Sequence, residues 1–292
     1  MGEQLAVAIS PRRRPRRSQV WLRMKRNRAT IFGMVIVGLY LIAALMPGSF
    51  TDYDPNKVDP ANALQPPSER HILGTDEFGR DVLARILHGS RLSLQVGFLA
   101  VLIGMIVGGS IGILSAHFGG LVDMILMRLM DVFLAVPGIM LAIALVAVLG
   151  PGMTNVIIAV GVYNIPSFAR IARSAALSIR EEKFLTAARM MGIGDIKIML
   201  RHILPNSIGP VLVYAVLRFG HAILLGSGLS FLGLGVQPPT PEWGAMLASS
   251  RNYIRTAPHL AFSYGLSLSI LVLGFNAMGE GLRDVIDPAT VR

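Results

Sequence analysis

The sequence contains no cysteine, which excludes a disulfide framework, a thiolate metal site and a cysteine nucleophile. Charge is scarce as well. Only 15% of the 292 residues are Asp, Glu, Lys or Arg, where a soluble domain carries about 25%. Acids are rarer than bases, 17 against 27, which leaves a formal net charge of +10. No glycine loop ending in Gly-Lys-Ser/Thr occurs, so this chain is not expected to bind or hydrolyse ATP by itself. No His-Glu-x-x-His string occurs either. His71 and Asp76 lie five apart in a glycine-containing loop, which defines no metal geometry. No catalytic residue, metal ligand or cofactor is assigned to the chain.

What the sequence has is apolar length. Hydrophobic residues make up 53% of it, and the mean hydropathy is +0.59. A spanning helix needs about 20 mostly apolar residues. Six segments meet that need, near 29–47, 92–116, 122–149, 153–174, 206–234 and 259–279. The fold class expected is therefore an all-α membrane protein with six transmembrane helices. Glycines and prolines inside the runs (Gly33, Gly38, Pro137, Pro166, Gly226, Gly228) are compatible with spanning, because neighbouring helices satisfy the freed backbone and small residues allow close approach.

The positive charge is concentrated where a membrane protein puts it. Residues 1–28 hold nine Arg or Lys against the single acid Glu3, directly before the first apolar run. That is the pattern of a cytoplasmic N-terminus facing anionic lipid, and it argues against nucleic acid as the partner. The first run lacks a small-residue cleavage site and is read as a retained helix. With six spans both termini are cytoplasmic. Residues 48–90 then lie outside, with seven acids and four bases, and 175–205 lie inside, with five bases and three acids. A proline-rich outer loop, 236–258, is expected to fold back along the membrane, with Trp243 as an interfacial anchor.

The inner segment carries the most pattern. Ser178 and Glu181 have capping-box spacing, with Glu182 as a second acid in the first turn. Phe184, Ala187, Ala188 and Met191 fall on one helical face. Gly192 suits a left-handed stop. Asp195 is placed to cap a second short helix with Ile196, Met199, Leu200 and Ile203 on its apolar face, and Pro205 ends it or starts the next span. Two short helices joined by glycine form either a knob that another protein's groove receives or a helix lying on lipid.

Thr186-Ala187-Ala188-x3-Gly192 followed by Leu204-Pro205 resembles the "EAA" loop of ABC importer permeases, the element that docks on the ATPase subunit. Thr186 stands where Glu is usual, and His202 where an aliphatic residue is usual. A second resemblance runs from His71-Ile-Leu-Gly-Thr-Asp76-Glu-Phe-Gly-Arg-Asp81 through Gly89-Ser-Arg91-Leu-Ser-Leu94. It continues in Phe118-Gly-Gly120, Met127-Arg-x2-Asp131, Leu229-Ser-Phe-Leu-Gly-Leu-Gly235, Gln237-Pro-Pro-Thr-Pro-Glu-Trp-Gly244 and Gly281-Leu-Arg-Asp284. These strings are similar, in order, to C-type permeases of dipeptide and oligopeptide importers, and 137–170 is similar to glutathione-importer permeases.

The resemblance implies a type I ABC importer transmembrane domain over 91–280, with an ATPase-docking loop at 178–205. Around it lie the basic tail 1–28, the first helix 29–47, an extracytoplasmic region 48–90 and a cytoplasmic C-terminus 281–292. It also implies partners: a second homologous permease, two ATPase subunits carrying ATP and Mg, an extracytoplasmic substrate-binding protein and the inner-membrane lipid. Glu182, Phe184, Thr186, Ala187, Ala188, Gly192, Leu204 and Pro205 are the docking candidates. Cargo of the family ranges over di- and oligopeptides, glutathione, nickel chelates and opines.

Charged residues within the spans have two readings each. Asp123, Arg170 and Arg173 lie near cytoplasmic ends, where they would be solvated or snorkel. Arg128 and Asp131 have the spacing to pair on one helix. Arg218 and His221 either face the translocation path or hold helices together. Asp76, Arg80 and Asp81 have a structural or binding-protein-docking role. A self-contained secondary transporter would favour inverted repeats and polar sites at mid-membrane, which the sequence does not display.

Overall fold

The structure is a computed structural model that describes residues 27–286. All but the last two residues of the basic tail, and the end of the C-terminal stretch, therefore lie outside the described residues. Helices in chain order are α1 (Arg28–Leu45), α2 (Val82–Phe118), α3 (Gly120–Ala135), α4 (Gly138–Leu149), α5 (Met153–Arg180), α6 (Lys183–Met190), α7 (Asp195–Phe231), α8 (Trp243–Ser250) and α9 (Pro258–Ile286). Five of them are long and apolar enough to cross a membrane, and the count reaches six when the bent pair α3–α4 is taken as one span. Six expected runs thus correspond to six structural units.

The third run is not a straight helix. It bends by 91° between α3 and α4. Pro137 lacks an amide hydrogen and disfavours helix at the residue before it, and Val136 is accordingly extended (φ −89°, ψ 129°). The 12 residues of α4 rise only about 18 Å at 1.5 Å per residue, too little to span alone.

Packing is set by small residues. Helix α1 lies on α9, α9 on α7, α7 on α5, and α5 on α2 and α4. Along α2, Gly104, Gly108 and Gly112 face α5 at four-residue spacing. A methyl at Gly108 would stand 2.3 Å from the Ile165 carbonyl oxygen, and one at Gly112 would stand 2.1 Å from that of Ala169. The two backbones meet where no side chain intervenes, as in membrane helix pairs with small residues every fourth position. The stripe's first two glycines bound a π-helical turn, Gly104–Gly108. Gly108-Gly109-Ser110-Ile111-Gly112 spells Gly-x-Ser-x-Gly, but it sits inside a helix and forms no strand-to-helix elbow.

Outside the spans, part of the 236–258 segment packs into the bundle. Trp243 is fully buried, donates Nε1–H to the Ile86 carbonyl at 3.0 Å and meets Tyr40 edge-on. It is a core residue of the α2–α7–α8–α9 junction, not an interfacial anchor. Glu242 caps α8 by accepting the Ala245 amide at 2.9 Å. Burial pushes its carboxyl above the ordinary glutamate value, and the backbone and serine hydrogen bonds around it only partly offset that.

Candidate functional site

The inner segment forms a two-helix knob, α6 and the start of α7, projecting from the end of α5. Three side chains anchor it. Leu185, Ile198 and Ile203 are fully buried and join the main core beside Ala176 and Ile179. Phe184, Thr186, Ala187, Met190 and Met191 point outward, together with Ile196 and Leu200. An apolar crown on a buried base is unusual for a free surface, and such patches mark interaction sites.

Several local expectations change. Ser178 does not start a helix, because α5 runs on to Arg180 and the Ser178 hydroxyl donates back to the Ser174 carbonyl. There is no capping box. Ala188 points inward with Leu185, leaving it 3% exposed, so the small outward face is Ala187 alone. On the second helix Ile203 and Ile198 turn inward while Ile196 and Leu200 turn outward. Asp195 is the first helical residue, and its side chain caps nothing. Its carboxylate meets His117 Nε2 at 3.1 Å instead.

Gly192 has φ +75°, the left-handed geometry expected of it. The Ile193 amide returns to the Ala188 carbonyl at 3.2 Å, the closing bond of a Schellman motif. Pro205 occupies the first turn of the α-helical Leu204–Phe231 part of α7, after a π-helical turn at Met199–Ile203. Because no atom lies within 4 Å of a methyl added at Gly192, substitution there tests the backbone alone. Gly192→Val should cost about 1–3 kcal/mol of local stability. The expected result is normal insertion with knob amides that exchange faster with deuterium. Unchanged exchange across 183–198 would show that the turn tolerates a β-branched residue.

The knob is tied to α2 from both sides. Arg180 donates Nη1–H to the Ala116 carbonyl at 2.8 Å, and His117 holds Asp195. Higher on the same end, Arg173 grips Asp123 through Nε at 2.6 Å and Nη2 at 2.5 Å, and the Ser115 hydroxyl also reaches Asp123. Arg170 pairs with Asp131 at 2.6 Å. Asp131 thus answers Arg170 rather than the expected Arg128, while Arg170 is exposed and Asp123 and Arg173 remain part-exposed, in keeping with the solvated reading of these three. Charges that look isolated along one helix are neutralised between helices.

Arg218 lies deeper, in the seam of α5 and α7. Its Nε and Nη2 donate to Asn164 Oδ1 at 3.0 and 2.7 Å. The guanidinium stands over the rings of Tyr163 and Tyr214, and His221 stacks on Tyr163. Arg218 therefore joins two helices, while His221 stays exposed in the chain.

On the other side of the bundle, Asp76 is the hub of the 46–81 loop and is 1% exposed. One carboxylate oxygen accepts the Phe78 and Arg80 amides, each at 2.9 Å. The other receives Arg80 Nε at 2.7 Å and faces Arg85 Nε at 3.3 Å. Asp81 caps α2 through the Ala84 amide and contacts His71 Nδ1 at 2.8 Å. These buried side chains are spent on the loop and α2, and none projects toward solvent. Phe78 and Ile72 of the same loop are exposed instead.

The geometry of bundle, knob and loop can be set beside known proteins. The family described as "Binding-protein-dependent transport system inner membrane component" matches residues 95–292, and the "N-terminal TM domain of oligopeptide transport permease C" matches 16–67. The chain is 44% identical over 286 residues to the dipeptide transport system permease protein DppC of Alkalihalophilus pseudofirmus, covering 98% of this chain and 92% of the relative. It is 43% identical to the glutathione transport system permease protein GsiD of Pectobacterium atrosepticum, covering 92% and 90%. Among solved structures, the inward-facing MetNI methionine ABC transporter superposes with a TM-score of 0.57 at 18% identity, over 70% of this chain and 97% of that one. That likeness shows a type I ABC importer fold. With a family match over most of its length and relatives above 40% identity across nearly all of it, the chain belongs to the binding-protein-dependent inner-membrane permeases of ABC importers.

Proposed function

We propose that this chain forms, with a homologous permease, the translocation path for short peptides, glutathione among them. The observation that carries the reading is the cargo named for its relatives. Dipeptide, di/tripeptide and glutathione permeases align with it at 41–44% identity over more than nine-tenths of its length. Two partner ATPases bind and hydrolyse ATP, and a substrate-binding protein delivers peptide from outside. Phe184, Ala187 and Met191, held out by the Gly192 turn, seat in a groove of one ATPase, with Glu182, Thr186, Leu204 and Pro205 at its edge. The Arg180–Ala116 and Asp195–His117 contacts then hand ATPase closure to α2. Alternating access follows, because nucleotide binds one arrangement better than the other.

Uptake tests the reading. Proteoliposomes holding both permeases, the ATPases and the binding protein should accumulate labelled dialanine with ATP, and omitting this chain should abolish uptake. Accumulation by this chain alone without ATP would make it a secondary transporter.

The orientation proposed has both termini in the cytoplasm and 48–90 outside. Because the chain has no cysteine, a thiol introduced by Pro60→Cys reports its own position, and Pro60 is exposed. A membrane-impermeant maleimide should label it in intact spheroplasts. Labelling only after lysis would invert the topology.

A further inference from the structure

Arg218 is oriented without being neutralised. Its partner Asn164 is fully buried and is itself fixed by donating Nδ2–H to the Val160 carbonyl at 3.0 Å. That amide aims the guanidinium but supplies no charge. Arg170 and Arg173 each have an aspartate, whereas among the described residues no carboxylate comes within 4 Å of Arg218. Its remaining N–H donors have no acceptor there. Around it are only rings: Tyr163 at 5.3 Å, Tyr214 at 5.9 Å and, stacked on Tyr163, His221. The hydroxyls of Tyr163 and Tyr214 and both His221 nitrogens make no hydrogen bond among the described residues. Gly138, at the bend of the broken span, presses on the Tyr163 ring so closely that an added methyl would stand 2.1 Å from Cε2.

A held, uncompensated cation inside a membrane-spanning bundle is costly unless something anionic visits it. Aromatic faces lower that cost in the empty state by cation–π attraction. The planar fork left free fits a carboxylate. Unpaired hydroxyl and imidazole groups nearby offer further donors.

We propose that Arg218, with Tyr163, Tyr214 and His221, forms a transient binding site for the terminal carboxylate of the transported peptide. This rests on the importer reading above and adds the group that the path recognises. Neutral buried Asn164 is a fitting partner for such a site. An aspartate there would close it to anions, and a missing partner would leave the guanidinium free to swing.

The complete importer, carrying His221→Cys in this otherwise cysteine-free chain, supplies the test. Leu224→Cys, an exposed position further along the same helix, serves if the first variant fails to assemble. Anionic sulfonatoethyl methanethiosulfonate and its cationic trimethylammonium analogue are compared, each normalised to its rate with a free thiol. The anionic reagent should react about tenfold faster or more, the scale of local electrostatic focusing. Adding Arg218→Gln should bring the ratio near one, while Arg218→Lys should retain most of it. Dialanine should slow the reaction and its C-terminal amide should not. No preference for the anion, equal protection by both peptides, or no labelling at either position would overturn the site. An absent preference would also mean that an acid of the partner permease already neutralises Arg218, which leaves no free cation for a peptide carboxylate. Dialanine uptake measured on the same preparation separates this outcome from failure of the importer reading, since uptake with no anion preference leaves the importer in place.

Discussion

Ala187→Trp should leave the permease folded and in the membrane and yet strip it of its ATPases. Ala187 is exposed on the outer face of α6, so the indole has room in the isolated chain. In the ATPase groove proposed above, which would be shaped for a methyl group, it would have none. Truncating or obstructing the centre of an interface typically costs about 2 kcal/mol or more, roughly thirtyfold in affinity. On purification through this chain, ATPase recovery should fall steeply and dialanine uptake should vanish, with insertion unchanged. An α6 that merely lies on lipid predicts the reverse, because an added aromatic strengthens interfacial binding. Wild-type ATPase recovery with wild-type uptake would remove the docking assignment. Ala188→Trp is no substitute for this experiment. At 3% exposure, Ala188 belongs to the knob's base, and overpacking there costs about 1–3 kcal/mol of folding stability.

The contrast between two adjacent alanines shows where sequence reasoning stops. Periodicity places Phe184, Ala187 and Met191 on one face, and Gly192 announces its turn because few other residues accept a positive φ. Which face is covered depends on what stands behind it. Here Leu185 joins the main core and Ala188 is buried beside it in the sequence, and that is a tertiary fact. The same limit explains the charges. Spacing along one helix suggests Arg128–Asp131, but Asp131 answers Arg170 from another helix. Apolar length gave the spans directly, since the bilayer requires it. It could not distinguish a straight third span from α3 and α4 meeting at 91°, because hydropathy is blind to direction. Pro137 was the visible signal for that bend. Trp243 was misplaced for a related reason. Interfacial preference is an average over many tryptophans, whereas this one has a buried carbonyl partner, Ile86, to receive its N–H.

Asp76→Asn should be among the most damaging isosteric changes available in this chain. The amide oxygen can still accept the Phe78 and Arg80 amides if it takes the Oδ1 place. The amide nitrogen must then occupy the Oδ2 place, where Arg80 Nε stands at 2.7 Å and Arg85 Nε at 3.3 Å. Donor would face donor twice, and two buried guanidiniums would lose their counter-charge together. Breaking a buried ion pair by removing one partner costs about 3–5 kcal/mol. Arg85 has some relief through the Pro55 carbonyl at 2.7 Å, but Arg80 has little beyond Glu77 at 3.9 Å. The loop from 46 to 81 should loosen while the spans persist, because its own hydrogen bonds converge on this carboxylate. Limited proteolysis of the purified importer should therefore cut Asp76→Asn between 50 and 75 under conditions that leave the wild type whole. Stimulation by the binding protein should fall with it. A variant that resists protease like the wild type and still loses stimulation would show that Asp76 meets the binding protein itself, despite its burial. Resistance together with full stimulation would mean that Arg80 and Arg85 are held well enough without a carboxylate, and that the hub assignment is wrong.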